Sequence, residues 1–192
     1  MTSHSPHHGA IILAAGASRR LGVSKQLLLI EGEPLVRRAV RAALATEPAQ
    51  TLVVVGKSAD SVFAAVHDLA VARIDCAEWA EGMGASLRSG SAALHDDCDG
   101  ALVIVCDQPA LTAAHLQTLV NAWRNAPQRA VASAYANTVG VPAILPRSWF
   151  ADLKNLQGDH GARDLLRSRV ESVIAVAAPD FERDIDSRQD LL

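Results

Sequence analysis

Residues 10–25 read AIILAAGASRRLGVSK: an apolar run too short to be a stable helix alone, then glycines, serines and basic side chains. The run Ala10–Ala15 predicts a buried strand, and the change after it predicts a loop at the strand's carboxyl end. Runs of the same kind recur at Thr51–Val55, Val71–Asp75, Ala101–Cys106, Ala130–Ala134, Val141–Leu145 and Val173–Val176, with helical stretches between them. That alternation predicts the α/β class, a mostly parallel sheet flanked by helices. Ligands of such sheets sit beyond the carboxyl ends of the strands, so chemistry is expected just after Ala15, Val55, Cys106 and Ala134. Pro34 is expected at the first position of a helix carrying Leu35, Ala39, Val40, Ala43 and Leu44 on one face. Thr112 is expected to cap a helix over Ala113–Trp123.

The 192-residue chain is 49% hydrophobic, 20% charged and 4% aromatic, which supports a sizeable core and excludes a disordered or fibrous class. Eighteen Lys and Arg stand against 21 Asp and Glu, a formal charge of -3, so no basic excess predicts a nucleic-acid or anionic-membrane partner. No apolar run approaches the ~20 residues of a membrane span. The run Ala10–Ala17 has no Lys or Arg before it, unlike a signal peptide. Cys76, Cys98 and Cys106 form no CxxC pair and leave one over, so reduced thiols in a cytoplasmic protein are expected. Residues 1–9, with His4, His7 and His8, are expected as a flexible tail. With no linker or repeat in view, residues 1–192 are expected as one domain.

The segment Leu13–Lys25 has the composition of a phosphate cradle. Glycines let the backbone approach a ligand, amide N–H groups converge on phosphate oxygens, and Arg20 and Lys25 supply charge. It is neither a Walker loop, since Lys25 does not follow Gly22 directly, nor a GxGxxG dinucleotide loop. The chain holds only three lysines, Lys25, Lys57 and Lys154, beside fifteen arginines, and a lysine offers a mobile point charge suited to phosphates. A solvated loop with its arginines in water is the other reading of the same residues. Residues 102–109, LVIVCDQP, form an apolar strand ending in a carboxylate before a proline. Asp107 there suits a magnesium ion, which takes one or two carboxylates and fills its remaining positions with phosphate oxygens and water. It suits equally an Asx turn or a cap near Thr112.

The string Ala14–Gly16, Ser18, Arg20, Gly22 and Lys25, followed by Gln26–Leu28, Gly32 and Pro34–Leu35, resembles the signature loop of nucleotidyltransferases that load CTP or GTP onto a phosphorylated acceptor. Within that group it is most similar to the molybdenum cofactor cytidylyltransferases, with Leu21 where that family more often has Met. The resemblance runs from Ile11 to Leu191 and implies a Rossmann-like nucleotidyltransferase domain. It implies a nucleotide site of Leu13, Ala14, Ala15, Gly16, Ser18, Arg20 and Lys25, with Arg20 and Lys25 on the phosphates, and magnesium on Asp107. A second metal carboxylate is implied in Asp184-Ile185-Asp186-Ser187. Asp186 is the expected ligand and Asp184 its alternative, and Arg188 stands where the family usually has Pro.

Residues 79–90, WAEGMGASLRSG, resemble the family's base and ribose segment, with Gly82, Gly84 and Ser86 nearest the base; an ordinary helix start is the other reading. GVPAILP (140–146) and LQGDHGARDL (156–165) resemble its acceptor side, which implies acceptor contacts at Pro142, Gly158, Asp159, His160 and Gly161. No Ser or Cys pairs with His160 as a hydrolase triad would require. The implied reaction is attack of an acceptor phosphate on the α-phosphorus of CTP with loss of pyrophosphate. Arg20, Lys25 and Asp107 are its catalytic residues, Mg2+ its cofactor and a phosphorylated pterin its acceptor; a molybdoenzyme or its maturation chaperone is a possible recipient. Nucleotidyl transfer to a sugar or polyol phosphate, and a non-catalytic module that binds and delivers the pterin cofactor, remain as alternatives. CTP is expected ahead of GTP because Ala15 stands where the guanylyl branch tends to carry a second glycine.

Overall fold

Each of the seven strand candidates falls on a strand, and among the described residues the seven form one sheet. The computed structural model describes residues 5–18, 23–158 and 160–182. In chain order its strands are β1 (His8–Ala14), β2 (Leu29–Ile30), β3 (Glu33–Pro34), β4 (Gln50–Val55), β5 (Ala72–Asp75), β6 (Gly100–Val105), β7 (Ala130–Tyr135), β8 (Thr138–Pro146) and β9 (Val173–Ala177). The helices are α1 (Leu35–Leu44), α2 (Ala59–Ala64), α3 (Met83–Ala92), α4 (Ala113–Arg124), α5 (Phe150–Leu153) and α6 (Ala162–Ser168).

The strand order is β5-β4-β1-β6-β8-β7-β9, and only β8 runs against its neighbours. The central strand β1 pairs in parallel with β4, Ala10 opposite Thr51, and with β6, Ala10 opposite Leu102. The chain leaves β1 toward β4 on one side and returns to β6 on the other, so the carboxyl ends of β1 and β6 border the crevice where the winding reverses.

Strands buried on both faces read as continuous apolar runs, yet alternate residues serve different cores. Ala10, Ile12 and Ala14 of β1 pack with Val36 and Val40 of α1 and with Leu116, Leu119 and Trp123 of α4. Ile11 and Leu13 pack with Ala85 and Leu87 of α3, Leu153 of α5 and Leu166 of α6. The Thr112 hydroxyl accepts from the His115 amide at 3.2 Å, the expected cap of α4. Helix α1 begins at Leu35, so Pro34 lies outside it. Pro34 is extended (φ -58°, ψ 140°) because it pairs with Leu29 in the β2–β3 hairpin, around a turn at Glu31 and Gly32 with positive φ.

The last two residues of the expected tail are in a strand. His8 and Gly9 belong to β1: the His8 carbonyl accepts from the Ala49 amide at 2.9 Å, and its ring is buried 2.9 Å from the Thr46 hydroxyl. Burial and the charge of Arg124 lower the His8 pKa to about 4. No described helix is long and apolar enough to cross a membrane.

Candidate functional site

Beyond the carboxyl ends of β1 and β6 lies a cavity of about 540 Å³. One wall is the backbone turn Ala15–Ser18 with Lys25 and Gln26; Asp107 and Cys106 form the floor; Trp79–Met83 and Ser86 form the facing wall. Strand β6 delivers Asp107 to this edge, as the loop after β1 delivers Gly16 and Ser18.

The first wall is held by side chains folded back onto its own backbone. Ser18 takes a positive φ of 50°, and its hydroxyl accepts from the Lys25 amide at 3.0 Å. Gln26, buried, donates to the Gly16 carbonyl at 2.9 Å and accepts from the Ser24 hydroxyl at 2.6 Å. Lys25 is thereby rooted in a short 3-10 turn, Lys25–Leu27, and its ammonium forms an ion pair with Asp107 Oδ2. Both side chains are about one-fifth exposed, 20% and 21%. The other carboxylate oxygen, Asp107 Oδ1, is buried without a hydrogen-bond partner. A buried carboxylate oxygen with no partner is costly unless a cation or donor meets it, so the residue fits a divalent cation that prefers oxygen ligands. Among the described residues no cluster of three or more His, Cys, Asp or Glu could hold a metal; of the two carboxylates that line this cavity, Glu81 accepts from Arg88 at 3.1 Å, and Asp107 is the one with an unpartnered oxygen. Beside it, burial and then the charge of Asp107 push the Cys106 thiol far up, which leaves it an uncharged wall atom.

The second wall depends on close backbone approach. A Cβ on Gly56, after β4, would lie 2.6 Å from the Ala15 carbonyl oxygen and 2.7 Å from Trp79 Cβ, so only a glycine lets Trp79 come this close to the first wall. Gly82 precedes α3 at φ 127°, ψ -170°, a conformation essentially reserved to glycine. Arg88 of α3 holds the turn in front of it, donating to Glu78 at 2.5 Å, Glu81 at 3.1 Å and the Leu156 carbonyl at 2.6 Å.

The residues singled out in the sequence divide into three groups. Leu13, Ala15, Gly16, Ser18, Lys25, Gly82, Ser86 and Asp107 line the one cavity. Ala14 faces the opposite core, under α1. Gly84 is buried against the 157–160 segment: its amide donates to the Gly158 carbonyl at 3.0 Å, and a Cβ there would lie 2.8 Å from the His160 carbonyl oxygen. Gly158, His160 and Gly161 thus sit on the outer side of α3's first turn, with the His160 ring exposed and 3.2 Å from Asp164. Pro142 follows a cis peptide bond, and its carbonyl accepts from the buried Ser133 hydroxyl at 2.8 Å. Arg20, Asp159, Asp184 and Asp186 lie outside the described residues.

Three residues without an assigned role shape the site: Gln26, Trp79 and Gln108. A glutamine directly after the loop lysine, and a tryptophan opening a glycine-rich turn, are the signals that mark the first two. Gln108, buried next to Asp107, donates to the Val141 carbonyl at 3.0 Å and so ties the floor to β8.

The sequence matches the MobA-like NTP transferase domain over residues 10–173. It is 31% identical over 176 residues to the purine catabolism protein PucB of Bacillus subtilis (strain 168), covering 85% of this chain and 82% of PucB. It is also 31% identical over 169 residues to nicotine blue oxidoreductase of Paenarthrobacter nicotinovorans, covering 83% and 81%. Rv0371c from Mycobacterium tuberculosis H37Rv superposes with a TM-score of 0.84 at 27% identity, covering 98% and 97%. A structure of Rv0371c in complex with manganese superposes at 0.78 and 25% identity, with the same coverage.

Proposed function

The chain belongs to the MobA-like NTP transferase family, and from that premise we propose that it transfers CMP from CTP to the phosphate of a molybdopterin-type cofactor and releases pyrophosphate. The single observation that carries the reading is the cavity that puts a backbone cradle, Lys25 and Asp107 together where the sheet reverses its winding. The amides of Gly16–Ser18 and the ammonium of Lys25 bind the departing phosphates, with Arg20 beside them in sequence. Trp79 and Gly82–Ser86 hold base and ribose, and Ala15 narrows the base end in favour of a pyrimidine. The segments around Pro142 and Gly158–Gly161, with Asp159, receive the acceptor.

Asp107, with Asp186 as a second ligand, holds Mg2+; the manganese complex of Rv0371c supports a divalent cation in this family. When bound, the ion supplies a Lewis acid that offsets charge on the phosphate oxygens. The acceptor phosphate is anionic at neutral pH and attacks without a general base, which suits a cavity whose thiol, Cys106, is held neutral. Three buried, unbridged cysteines suit a reducing compartment, so we place the protein in the cytoplasm, delivering its product to a molybdoenzyme or a maturation chaperone.

The test is pyrophosphate release with CTP and Mg2+ against a panel of phosphorylated pterin, sugar phosphates and polyol phosphates. Release with the pterin alone is the expected result. Release with a sugar or polyol phosphate alone would reassign the acceptor, and pterin binding without release under any condition would make the chain a carrier.

A further inference from the structure

Lys25 carries two assignments that compete for its ammonium. Its ammonium is paired with Asp107, yet its place on the first wall, beside the amides of Gly16–Ser18, is where a triphosphate would draw it. The backbone of Lys25 is fixed at both ends of its turn: its amide donates to the Ser18 hydroxyl at 3.0 Å and its carbonyl accepts from the Leu28 amide at 3.1 Å. Only the four-carbon stem is left to choose between partners. Asp107, four-fifths covered and with Oδ1 already without a partner, would have its charge unbalanced in this crevice if Lys25 left with nothing to replace it.

We infer that Lys25 is a built-in occupant of the cation position: it neutralises Asp107 until a triphosphate draws its ammonium away, and both carboxylate oxygens then become available to a divalent cation. The inference rests on the metal role proposed for Asp107. A cation arriving alone must compete with a tethered ammonium, and a triphosphate arriving alone must pull that ammonium from a carboxylate. Each ligand removes the obstacle to the other, which is a positive coupling between them and is reciprocal by necessity. Metal and nucleotide are then taken up together, and neither accumulates on the protein alone.

The experiment is calorimetric titration of Mn2+ into the full chain without nucleotide, comparing wild type with Lys25→Met and Lys25→Gln. Lys57→Met is the control, because Lys57 is an exposed cation just after β4 at the same sheet edge. Removing Lys25 should tighten Mn2+ binding about three- to tenfold, the scale of one partly exposed ion pair, while Lys57→Met changes it less than about twofold. In a second arm, tripolyphosphate with a chelator present should bind Asp107→Asn tighter than wild type by a similar factor. Equal Mn2+ affinity in wild type and both Lys25 variants, or an equal gain from Lys57→Met, would overturn the inference and leave the metal site standing. Absence of Mn2+ binding in every form would overturn the metal role and the inference with it.

Discussion

The two walls of the cavity are built by opposite means. The Ala15–Ser18 and Lys25 wall is held by side-chain hydrogen bonds from Ser18 and Gln26 and works through charge. The Trp79–Ser86 wall, its turn braced from outside by Arg88, takes its shape from close approach, with Gly56 beneath Trp79 and Gly84 against Gly158 and His160. The difference teaches where substitutions register. On the charged wall a change should remove function at a small cost in stability; on the packed wall the larger cost should be in stability, with function touched only through shape.

The sharpest way to break this contrast is Asp107→Asn. The amide keeps the shape and loses the charge, so pyrophosphate release should fall by about a hundredfold or more at low millimolar Mg2+ while the urea midpoint moves little. A large drop in midpoint would make Asp107 structural. Next comes Lys25→Ala, expected to lower turnover at subsaturating CTP about ten- to a hundredfold, the worth of one charge-assisted contact of about 1.5–3 kcal/mol. Wild-type release in this variant would remove Lys25 from the cradle.

On the other wall, Gly84→Ala puts a methyl group 2.8 Å from the His160 carbonyl oxygen and 2.9 Å from that of Gly158. Overpacking of this kind should cost about 1–3 kcal/mol of unfolding free energy in urea. No cost would mean that the 157–160 segment yields, and the two-wall contrast would lose its basis. The smallest effect should come from Ala15→Gly, where a single methyl group is at stake. The ratio of kcat/KM for GTP over CTP should rise by about five- to tenfold, the low end of the ~1–3 kcal/mol that one methyl group supplies. A wild type that already prefers GTP would end the pyrimidine assignment and leave the family untouched.

The sheet was legible because each strand announces itself locally. A run such as Ala101–Cys106, apolar throughout and closed by Asp107 and Pro109, admits little else. The β2–β3 hairpin left no such mark, since Leu29–Ile30 and Glu33–Pro34 are too short to show a period. Nor did the reversed direction of β8, because direction is set by pairing with β6 and β7 and not by the residues of the strand itself. In the site, Lys25 and Asp107 were found separately, each from its own segment. That they pair with each other is a long-range fact, as is the fit of Trp79 over Gly56, which requires two loops to meet.

The position of β1 in the sheet has a temporal consequence. It is the earliest strand in the chain, yet it pairs on one side with residues 50–55 and on the other with residues 100–105. During synthesis its hydrogen-bonding edges must wait for β4 and then for β6, and only the arrival of β6 brings Asp107 to Lys25. Assembly of the site therefore reports late chain closure, since non-local parallel pairing is intrinsically slow. The indole of Trp79, one of three tryptophans, would be an optical clock for that closure.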